Sequence, residues 1–345
     1  MTQLNRRDFL KISALGLSSL AFRGLSLGSP ELRQVDIGRI AIASVSVYTQ
    51  PDDKSQIVMQ RYRDELVNIY EDVISDKGPG YNPLWYRVWR GYIHSAHVVK
   101  VRSVLNAVTS AVPKTGLLSE VTVPYSQSYR FTKKFGWEPI YRLYYGSTHW
   151  IVGIEEGPDG APWYRIRDEL LSADHENYFA TAEHFRLIDP LEYTPIRTDV
   201  PADQKRIEVN LGTQSLIAYE GDTEVLKTTI SSGVPSGGRK GVSTDTPRGD
   251  FHVYAKLPSK HMGEGYFTDD LEAYILPGVP WVTFFEKSGV GFHGTWWHNN
   301  YGMTMSHGCI NMKTPEALWV FRWTTPETLP NKVIQNGYGT RVIVY

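Results

Sequence analysis

Two short segments near the C-terminal end hold the residues best suited to covalent chemistry. Segment 291–298 reads Gly-Phe-His-Gly-Thr-Trp-Trp-His, and segment 306–311 reads Ser-His-Gly-Cys-Ile-Asn. Cys309 is the one cysteine in the 345 residues, so no disulfide can form within the chain. A thiol becomes nucleophilic when its thiolate is populated, which a neighbouring imidazole promotes. The pattern therefore predicts a cysteine nucleophile with a histidine beside it.

A nucleophile that attacks a carbonyl also needs donors for the oxyanion. Gly308 precedes Cys309, and a glycine there frees the backbone N–H groups of both residues to point at one spot. Two other interpretations stay open. Cys309 could be a buried, inert thiol, or the three histidines of these segments could bind a metal together with it. Their spacing fits no common zinc pattern, and a metal-bound thiolate would not be free to attack.

The two segments together resemble the catalytic domain of the L,D-transpeptidase family. That family's signature is a His-Gly pair, a spacer, and then Ser/Thr-His-Gly-Cys-x-Asn or Arg. The resemblance covers about residues 204–345 and includes segment 246–249, which is similar to the family's Thr-Pro-x-Gly turn. Segments 279–281 and 297–302 are similar to the branch with a lid over the active site, and Leu257 to Pro277 would be that lid. The spacer from His293 to Ser306 lies at the short end of the family range.

The resemblance implies a role for each matching residue. Cys309 would be the nucleophile, and His293 would be its general base and later acid, oriented by a backbone carbonyl that is here that of Gly294. His307 would shape the site near the oxyanion hole, and Gly308 would supply a backbone N–H to it. The residues expected to contact substrate or hold the loop around it are Gly294, Trp296, Ser306 and Asn311. Alternation along a strand would put Trp296 and Trp297 on opposite faces, so at most one should line the cleft.

The resemblance also implies a reaction. The enzyme would act on peptidoglycan stem peptides without a metal or organic cofactor, through a cysteinyl thioester on a stem tetrapeptide that a second stem resolves as a cross-link. Two alternatives keep the thioester: water resolves it, giving an L,D-carboxypeptidase, or a protein amine does, attaching that protein to the wall. A wall-binding adaptor with an inert catalytic domain is the alternative from another class, and the intact Cys, His and Gly set argues against it.

Composition limits the other classes of function. The chain has 36 Lys and Arg against 37 Asp and Glu, a net charge of -1, which removes the usual electrostatic case for a nucleic-acid partner. Hydrophobic residues make up 41% and charged residues 21%, as in globular proteins. Aromatic residues reach 12%, with 30 Gly and 20 Pro, which favours many short strands and turns. We therefore predict a mainly β protein.

The N-terminal segment, residues 1–30, is typical of an export signal. Arg6 and Arg7 are followed by Phe-Leu-Lys and by an uncharged stretch from Ile12 to Phe22, too short to span a membrane. This resembles the twin-arginine signal. No clear Ala-x-Ala cleavage site follows, so the segment is either cut imprecisely or retained as a membrane anchor. We expect the protein in the cell envelope, periplasmic or wall-associated.

An internal repeat precedes the catalytic region. Trp85-Tyr86-Arg87-Val88 is echoed by Trp163-Tyr164-Arg165-Ile166, and each copy continues into alternating residues typical of strands. Residues 36–102 resemble a bacterial SH3-like barrel, and residues 118–190 resemble it more weakly. Both would be non-catalytic, either spacers or wall-contacting surfaces. Three prolines between 190 and 201 predict a linker. A β-sandwich with one short helix, capped by Thr314, and a terminal strand from Arg341 to Tyr345 would then fold independently over 204–345.

Overall fold

Strands account for most of the regular structure, which confirms the predicted mainly β class. The computed structural model describes residues 35–167, 177–235, 243–263 and 275–345. The predicted signal, residues 1–30, and the middle of the predicted lid, residues 264–274, lie outside this part of the chain. No helix among the described residues is long and apolar enough to cross a membrane.

The first module, residues 36–101, consists of two antiparallel sheets. Their strand orders are β4-β1-β8 and β3-β2-β7-β6-β5. The strands are β1 (Asp36–Ile40), β2 (Ser44–Tyr48), β3 (Ile57–Tyr62), β4 (Leu66–Ile69), β5 (Glu71–Ile74), β6 (Leu84–Val88), β7 (Gly91–His94) and β8 (Val98–Val101). Apolar side chains from both sheets, such as Ile40, Val47 and Tyr86, form one core.

The second module, residues 117–187, is one seven-stranded antiparallel sheet in the order β11-β10-β14-β13-β12-β9-β15. Its strands are β9 (Leu117–Val121), β10 (Tyr125–Thr132), β11 (Gly136–Tyr144), β12 (Thr148–Glu156), β13 (Pro162–Ile166), β14 (Tyr178–Thr181) and β15 (Phe185–Leu187). The sheet encloses its own core, which includes Leu143, Tyr164 and Phe185.

The two copies of the sequence repeat have the same local structure. In the first, β6 and β7 form a hairpin, followed by a 3-10 turn at Ser95–His97 and by β8. In the second, β13 and β14 pair in the same way, followed by a 3-10 turn at Ala182–His184 and by β15. The assignment of either module to the SH3-like class stays a prediction.

The C-terminal domain, residues 205–344, is built on two five-stranded sheets in the orders β18-β17-β16-β25-β19 and β23-β22-β21-β20-β24. The strands of the first sheet are β16 (Lys205–Asn210), β17 (Ser215–Glu220), β18 (Thr223–Thr229), β19 (Gly249–His252) and β25 (Arg341–Val344). Those of the second are β20 (Ala255–Gly263), β21 (Ile275–Glu286), β22 (Val290–Gly294), β23 (Ile310–Met312) and β24 (Gln335–Asn336). Side chains from both sheets pack into one core, as expected for a sandwich.

The predicted helix is present as α1 (Thr314–Trp323), but it begins differently from the expectation. Thr314 was expected to be the cap, whereas Lys313 occupies that position and has no side-chain capping bond. The Lys313 carbonyl instead accepts the N–H groups of Glu316 and Ala317, each at 3.0 Å. Thr314 Oγ1 points towards the Thr295 carbonyl, 3.5 Å away, so this threonine joins the helix to the chain that follows β22.

The predicted linker between residues 190 and 201 is packed against the C-terminal domain. The Thr194 carbonyl accepts from Arg322 Nε at 2.8 Å, and buried Tyr193 belongs to the core of that domain. Leu118 and Trp150 of the second module join the same core. Residues 35–345 therefore form one compact unit, in which apolar contacts across the modules outweigh the tendency of prolines to separate them.

Candidate active site

Two neighbouring parallel strands bring the chemistry-bearing segments together. β22 pairs with β23 so that His293 lies opposite Asn311, two residues after Cys309. The Cys309 thiol donates weakly to the Gly289 carbonyl, with a sulfur–oxygen distance of 3.6 Å. Cys309 thus lies against the beginning of the strand that carries His293. The predicted nucleophile and base are brought together by one strand pair.

His293 is fully buried and oriented by a backbone carbonyl, as the family resemblance implied. Nδ1 lies 3.0 Å from the Gly294 carbonyl oxygen, which requires Nδ1 to carry the proton in the neutral ring. Nε2 has no hydrogen-bond partner among the residues that the structure describes. It is therefore an unprotonated acceptor that can take a proton from a thiol or an amine.

Position 294 requires a glycine for a steric reason, in addition to the hydrogen bond that its carbonyl forms with His293. A Cβ at this position would lie 2.9 Å from both Pro280 Cγ and Thr314 Oγ1. Such contacts are too close for a side chain, so β22 can approach the start of α1 only with glycine here. Gly294 is thus placed to orient the base, whereas its predicted contact with substrate stays a prediction.

The loop before Cys309 is held by its own hydroxyl groups. Ser306 is buried, and its Oγ donates to the Cys309 carbonyl and accepts the Gly308 N–H at 3.2 Å. Gly308 has φ of +115°, a conformation that favours glycine. Ser306 is thus placed where it can hold the loop. The Gly308 N–H, however, already has an acceptor, so its predicted role in an oxyanion hole requires that bond to be shared or released.

Thr246 also holds this loop, a role that the sequence alone did not predict. Thr246 Oγ1 accepts the Gly233 N–H at 2.8 Å and donates to the Gly308 carbonyl at 2.7 Å. The residue is buried in the turn that resembles the family's Thr-Pro-x-Gly segment. That resemblance was the available signal, but one sequence does not reveal which carbonyl a distant threonine meets.

Asn311 lies behind the site and holds a second buried histidine. Its Nδ2 lies 2.9 Å from His298 Nε2, and His298 Nδ1 accepts the Asn300 N–H at 3.1 Å. Both ring nitrogens of His298 are therefore engaged. The Asn311 backbone also exchanges two hydrogen bonds with Ser231, which ties β23 to the segment after β18.

The cavity at the thiol has a volume of about 610 Å³. It is lined by Cys309, exposed His307, Tyr254, Lys260 and Phe284, among others. His307 thus lines the cavity, and its role in shaping the site stays a prediction. No group of three or more His, Cys, Asp or Glu residues in the described part of the chain could hold a metal ion.

Trp296 lies apart from this cavity. β22 ends at Gly294, so strand alternation does not govern the two tryptophans, and their rings contact each other at 5.1 Å. Trp296 lines a different cavity of about 540 Å³, where the two modules meet the C-terminal domain. Its predicted contact with substrate has no support from this placement.

Burial holds the thiol and the imidazole in their neutral forms. It lowers the pKa of His293 from 6.5 to about 4, against the opposing effect of the bond to the Gly294 carbonyl. It raises the pKa of Cys309 from 9.0 to about 11, and a hydrogen bond from the Gly291 backbone only partly offsets this. The sequence predicted a thiolate stabilised by the imidazole. Both pKa shifts instead favour the neutral thiol and the neutral imidazole, because desolvation penalises the charged form of each group.

Comparison with known proteins assigns the C-terminal domain to a class. Residues 204–344 match the family model YkuD, described as the L,D-transpeptidase catalytic domain. An L,D-transpeptidase catalytic domain therefore occupies this part of the chain. No curated protein matches the chain.

Several solved structures are similar to part of the chain. A variant of an Enterococcus faecium L,D-transpeptidase is 26% identical over 41% of this chain and 50% of its own, with a TM-score of 0.31. An L,D-transpeptidase from Xylanimonas cellulosilytica is 28% identical over 44% and 63%, with a TM-score of 0.28. One from Mycobacterium smegmatis is 17% identical over 56% and 98%, with a TM-score of 0.34. The chain covers about half the length of the first two chains found.

Proposed function

We propose that this chain is an exported peptidoglycan L,D-transpeptidase that works through a cysteinyl thioester. The observation that carries the proposal is the state of His293, whose Nδ1 is fixed by the Gly294 carbonyl while Nε2 has no partner among the described residues. This base lies on the strand beside Cys309, in a domain that matches the L,D-transpeptidase catalytic family. A free acceptor nitrogen beside the chain's one thiol supports acyl transfer.

The proposed reaction begins with the neutral pair. Cys309 Sγ attacks the carbonyl carbon between the third (L) and fourth (D) residues of a stem tetrapeptide, and the thiol proton passes to His293 Nε2. As the tetrahedral intermediate collapses, the carbon–nitrogen bond breaks and His293 gives that proton to the departing D-alanine amine. A thioester remains. The side-chain amine of a second stem then attacks it, loses a proton through His293, and regenerates the thiol.

Proton transfer concerted with attack suits the two shifted pKa values. A neutral thiol with a pKa of about 11 is a poor nucleophile, so the proton must leave as the carbon–sulfur bond forms. The negative charge then develops on the substrate oxygen, for which the backbone N–H groups of Gly308 and Cys309 are the proposed donors. No metal or organic cofactor takes part in this proposal.

The acyl acceptor separates the proposed function from its alternatives. An L,D-carboxypeptidase would use water, and a protein-attaching enzyme would use a protein amine on the same thioester. Mass spectrometry of muropeptides after incubation with purified enzyme distinguishes these outcomes. We expect cross-linked dimers, whereas tripeptides alone would identify a carboxypeptidase and unchanged tetrapeptides would favour the inert adaptor.

The thioester chemistry has its own test. A carbapenem is a strained acyl donor, and the family resemblance implies that it reacts with the nucleophile. We expect intact-mass measurement to show one adduct per chain and none in Cys309→Ala. If folded wild-type protein resists both a carbapenem and small alkylating reagents, Cys309 is a structural thiol and the proposal fails.

Export and wall contact complete the proposal. Arg6 and Arg7 would direct export by the twin-arginine route to the cell envelope, with the segment cleaved or kept as an anchor, and the two modules would contact the wall. Changing both arginines to Lys keeps the charge but removes the planar guanidinium groups. We expect the double variant to stay in the cytoplasm, and normal export of it would contradict the twin-arginine route.

A further inference from the structure

A buried arginine of the first module contacts the chain that follows β22. Arg39 is only 2% exposed, and its Nη2 donates to the Trp296 carbonyl at 2.9 Å. Its Nη1 donates to Asp64 Oδ1 at 3.2 Å. Asp64 also accepts from Arg142 and, at 3.3 Å, from the Tyr144 hydroxyl of the second module. One carboxylate thus links both modules at the point where Arg39 reaches the C-terminal domain.

A series of ring contacts runs from the second module to the catalytic base. The Tyr144 ring stacks on Trp296 with centroids 4.7 Å apart. The Arg39 guanidinium lies 4.1 Å from the centroid of the same Tyr144 ring. Trp296 meets Trp297 edge-on at 5.1 Å. Trp297 lies 5.7 Å from the His293 imidazole. Each ring limits the positions open to the next, so His293 is in packed contact with a side chain of another module through two tryptophans.

The backbone between His293 and Trp297 is fixed at three consecutive carbonyl groups. The Gly294 carbonyl lies 3.0 Å from His293 Nδ1, and the Thr295 carbonyl 3.5 Å from Thr314 Oγ1. The Trp296 carbonyl receives Arg39. The bond to the Gly294 carbonyl sets the tautomer of His293. The bonds to the Thr295 and Trp296 carbonyls hold the backbone that follows Gly294.

We propose that Arg39 and Tyr144 are positioning residues for His293, so that both N-terminal modules belong to the working active site. The inference rests on the proposed function and extends it. Arg39 fixes the backbone that presents the Gly294 carbonyl, and Tyr144 supports the two tryptophans that pack against the imidazole. Apolar residues can join two domains without the desolvation cost of a buried ion pair. The buried Arg39 accepts that cost, and its hydrogen bond fixes the position of one backbone carbonyl, that of Trp296.

The test compares variants that loosen this contact with a matched control. Arg39→Met removes the bond to the Trp296 carbonyl, and Tyr144→Leu removes the ring stack, whereas Arg39→Lys and Tyr144→Phe each keep part of the contact. Arg186→Met is the control. Arg186 is also bound to two carboxylates, Glu120 and Glu192, but within the described part of the chain it forms no hydrogen bond or ion pair with residues 293–297.

Two quantities are measured well below the melting temperature. The first is the rate at which a carbapenem acylates Cys309, followed by intact mass. We expect about a tenfold or larger decrease in Arg39→Met and Tyr144→Leu, because small displacements of a catalytic group cost rate steeply. Tyr144→Phe should stay near the wild-type rate, and Arg39→Lys should fall between. The second quantity is the ¹⁵N NMR spectrum of the His293 ring. We expect it to show one tautomer in the wild type and a mixture of both tautomers in Arg39→Met and Tyr144→Leu.

Three results would overturn the inference. One is wild-type acylation and a single tautomer in both Arg39→Met and Tyr144→Leu. Another is an equal loss in Arg186→Met, which would mean that any loosening of the modules has this effect. The third is a lower rate with the His293 ring unchanged. If even the wild-type protein is not acylated, the proposed function fails, and the NMR signature still decides whether these residues position His293.

Discussion

Thr246 Oγ1 lies 2.7 Å from the carbonyl oxygen of Gly308, the residue before the proposed nucleophile. The same hydroxyl accepts the buried Gly233 N–H, so one side chain joins the segments at Gly233 and Thr246 to the distant loop at Gly308. The Ser306 hydroxyl completes the support from the other side, between the Gly308 N–H and the Cys309 carbonyl. The loop that presents the thiol is therefore held by two side-chain hydroxyls.

Thr246→Val should weaken both the fold and the reaction. Valine has a similar shape but leaves the buried Gly233 N–H without an acceptor, which costs about 1–3 kcal/mol. We expect this loss in the free energy of unfolding from urea denaturation. Carbapenem acylation of Cys309 should also slow by roughly tenfold to a hundredfold as the loop shifts.

Thr244→Val is the control for this change. Thr244 Oγ1 donates to the Val234 carbonyl at 2.7 Å, and among the described residues this hydroxyl forms no hydrogen bond with Gly233 or Gly308. We expect its acylation rate to match that of the wild type. Equal rates in Thr246→Val and wild type would show that the thiol loop does not depend on the threonine.

The pH dependence of alkylation distinguishes a neutral pair from a preformed ion pair. The free thiol of Cys309 has a pKa raised to about 11, so its thiolate fraction keeps growing about tenfold per pH unit past 9.0, its ordinary pKa. The rate of reaction with iodoacetamide should follow this increase. A plateau near pH 9 would mean that burial does not raise the pKa of the thiol, and a plateau already reached below about pH 7 would mean that His293 holds the thiolate as an ion pair.

His293→Ala supplies the complementary measurement. Because burial lowers the pKa of His293 to about 4, the ring is an unprotonated base at every pH above that value. Carbapenem acylation of wild-type protein should therefore stay level down to about pH 5 and decline only near pH 4. In His293→Ala we expect acylation to fall by about 10²-fold or more. An acid decline near pH 6.5 would assign the proton transfer to a solvated histidine.

The family resemblance implied a joint role for Cys309 and His293. Sequence patterns predicted the mainly β class, the terminal strand and the helix near Thr314. These depend on local alternation or on residues close together along the chain. The role of Thr246, the packing of Trp296 against the modules and the burial of residues 190–201 could not be predicted, because each depends on contacts between segments more than 60 residues apart. Burial also decides the charge of Cys309 and His293, and a single sequence contains no measure of desolvation.

Two buried histidines should make the fold sensitive to acid. Burial lowers the pKa of His293 to about 4 and that of His298 to about 3, both from 6.5. Below pH 6.5 both histidines are therefore protonated in the unfolded chain but stay neutral in the folded chain. Their contribution to stability is fully present above pH 6.5 and is lost as the pH falls towards 4. Together they give a slope of up to about 2.7 kcal/mol per pH unit.

Urea denaturation of wild type and His298→Gln at pH 7, 6 and 5 isolates this effect. Carboxylates also titrate in the lower part of the range, but they are common to both proteins. We expect the slope in His298→Gln to be smaller by about 1.4 kcal/mol per pH unit, the share of one proton. Identical slopes would mean that His298 can be protonated in the folded protein.

The shared core predicts that the C-terminal domain does not keep its full stability alone. Leu118 and Ile188 lie upstream of residue 204 and are buried in the core of that domain, together with Trp150 and Tyr193. Burying side chains of this size stabilises by about 1.5–3 kcal/mol each. Losing all four approaches the stability of a whole domain, about 5–15 kcal/mol. A chain of residues 204–345 should therefore show weak near-ultraviolet circular dichroism and a broad melting transition.

Residues 104–345 and 35–345 are the comparison for this truncation. The 104–345 chain keeps the four upstream core residues, so we expect cooperative melting, although it lacks Arg39 and should be acylated by a carbapenem more slowly than 35–345. Stability would then depend on the presence of the second module, and the acylation rate would depend on the presence of both modules. Sharp, cooperative melting of 204–345 at the temperature of the longer chains would show that the upstream side chains only cover a core that is complete without them.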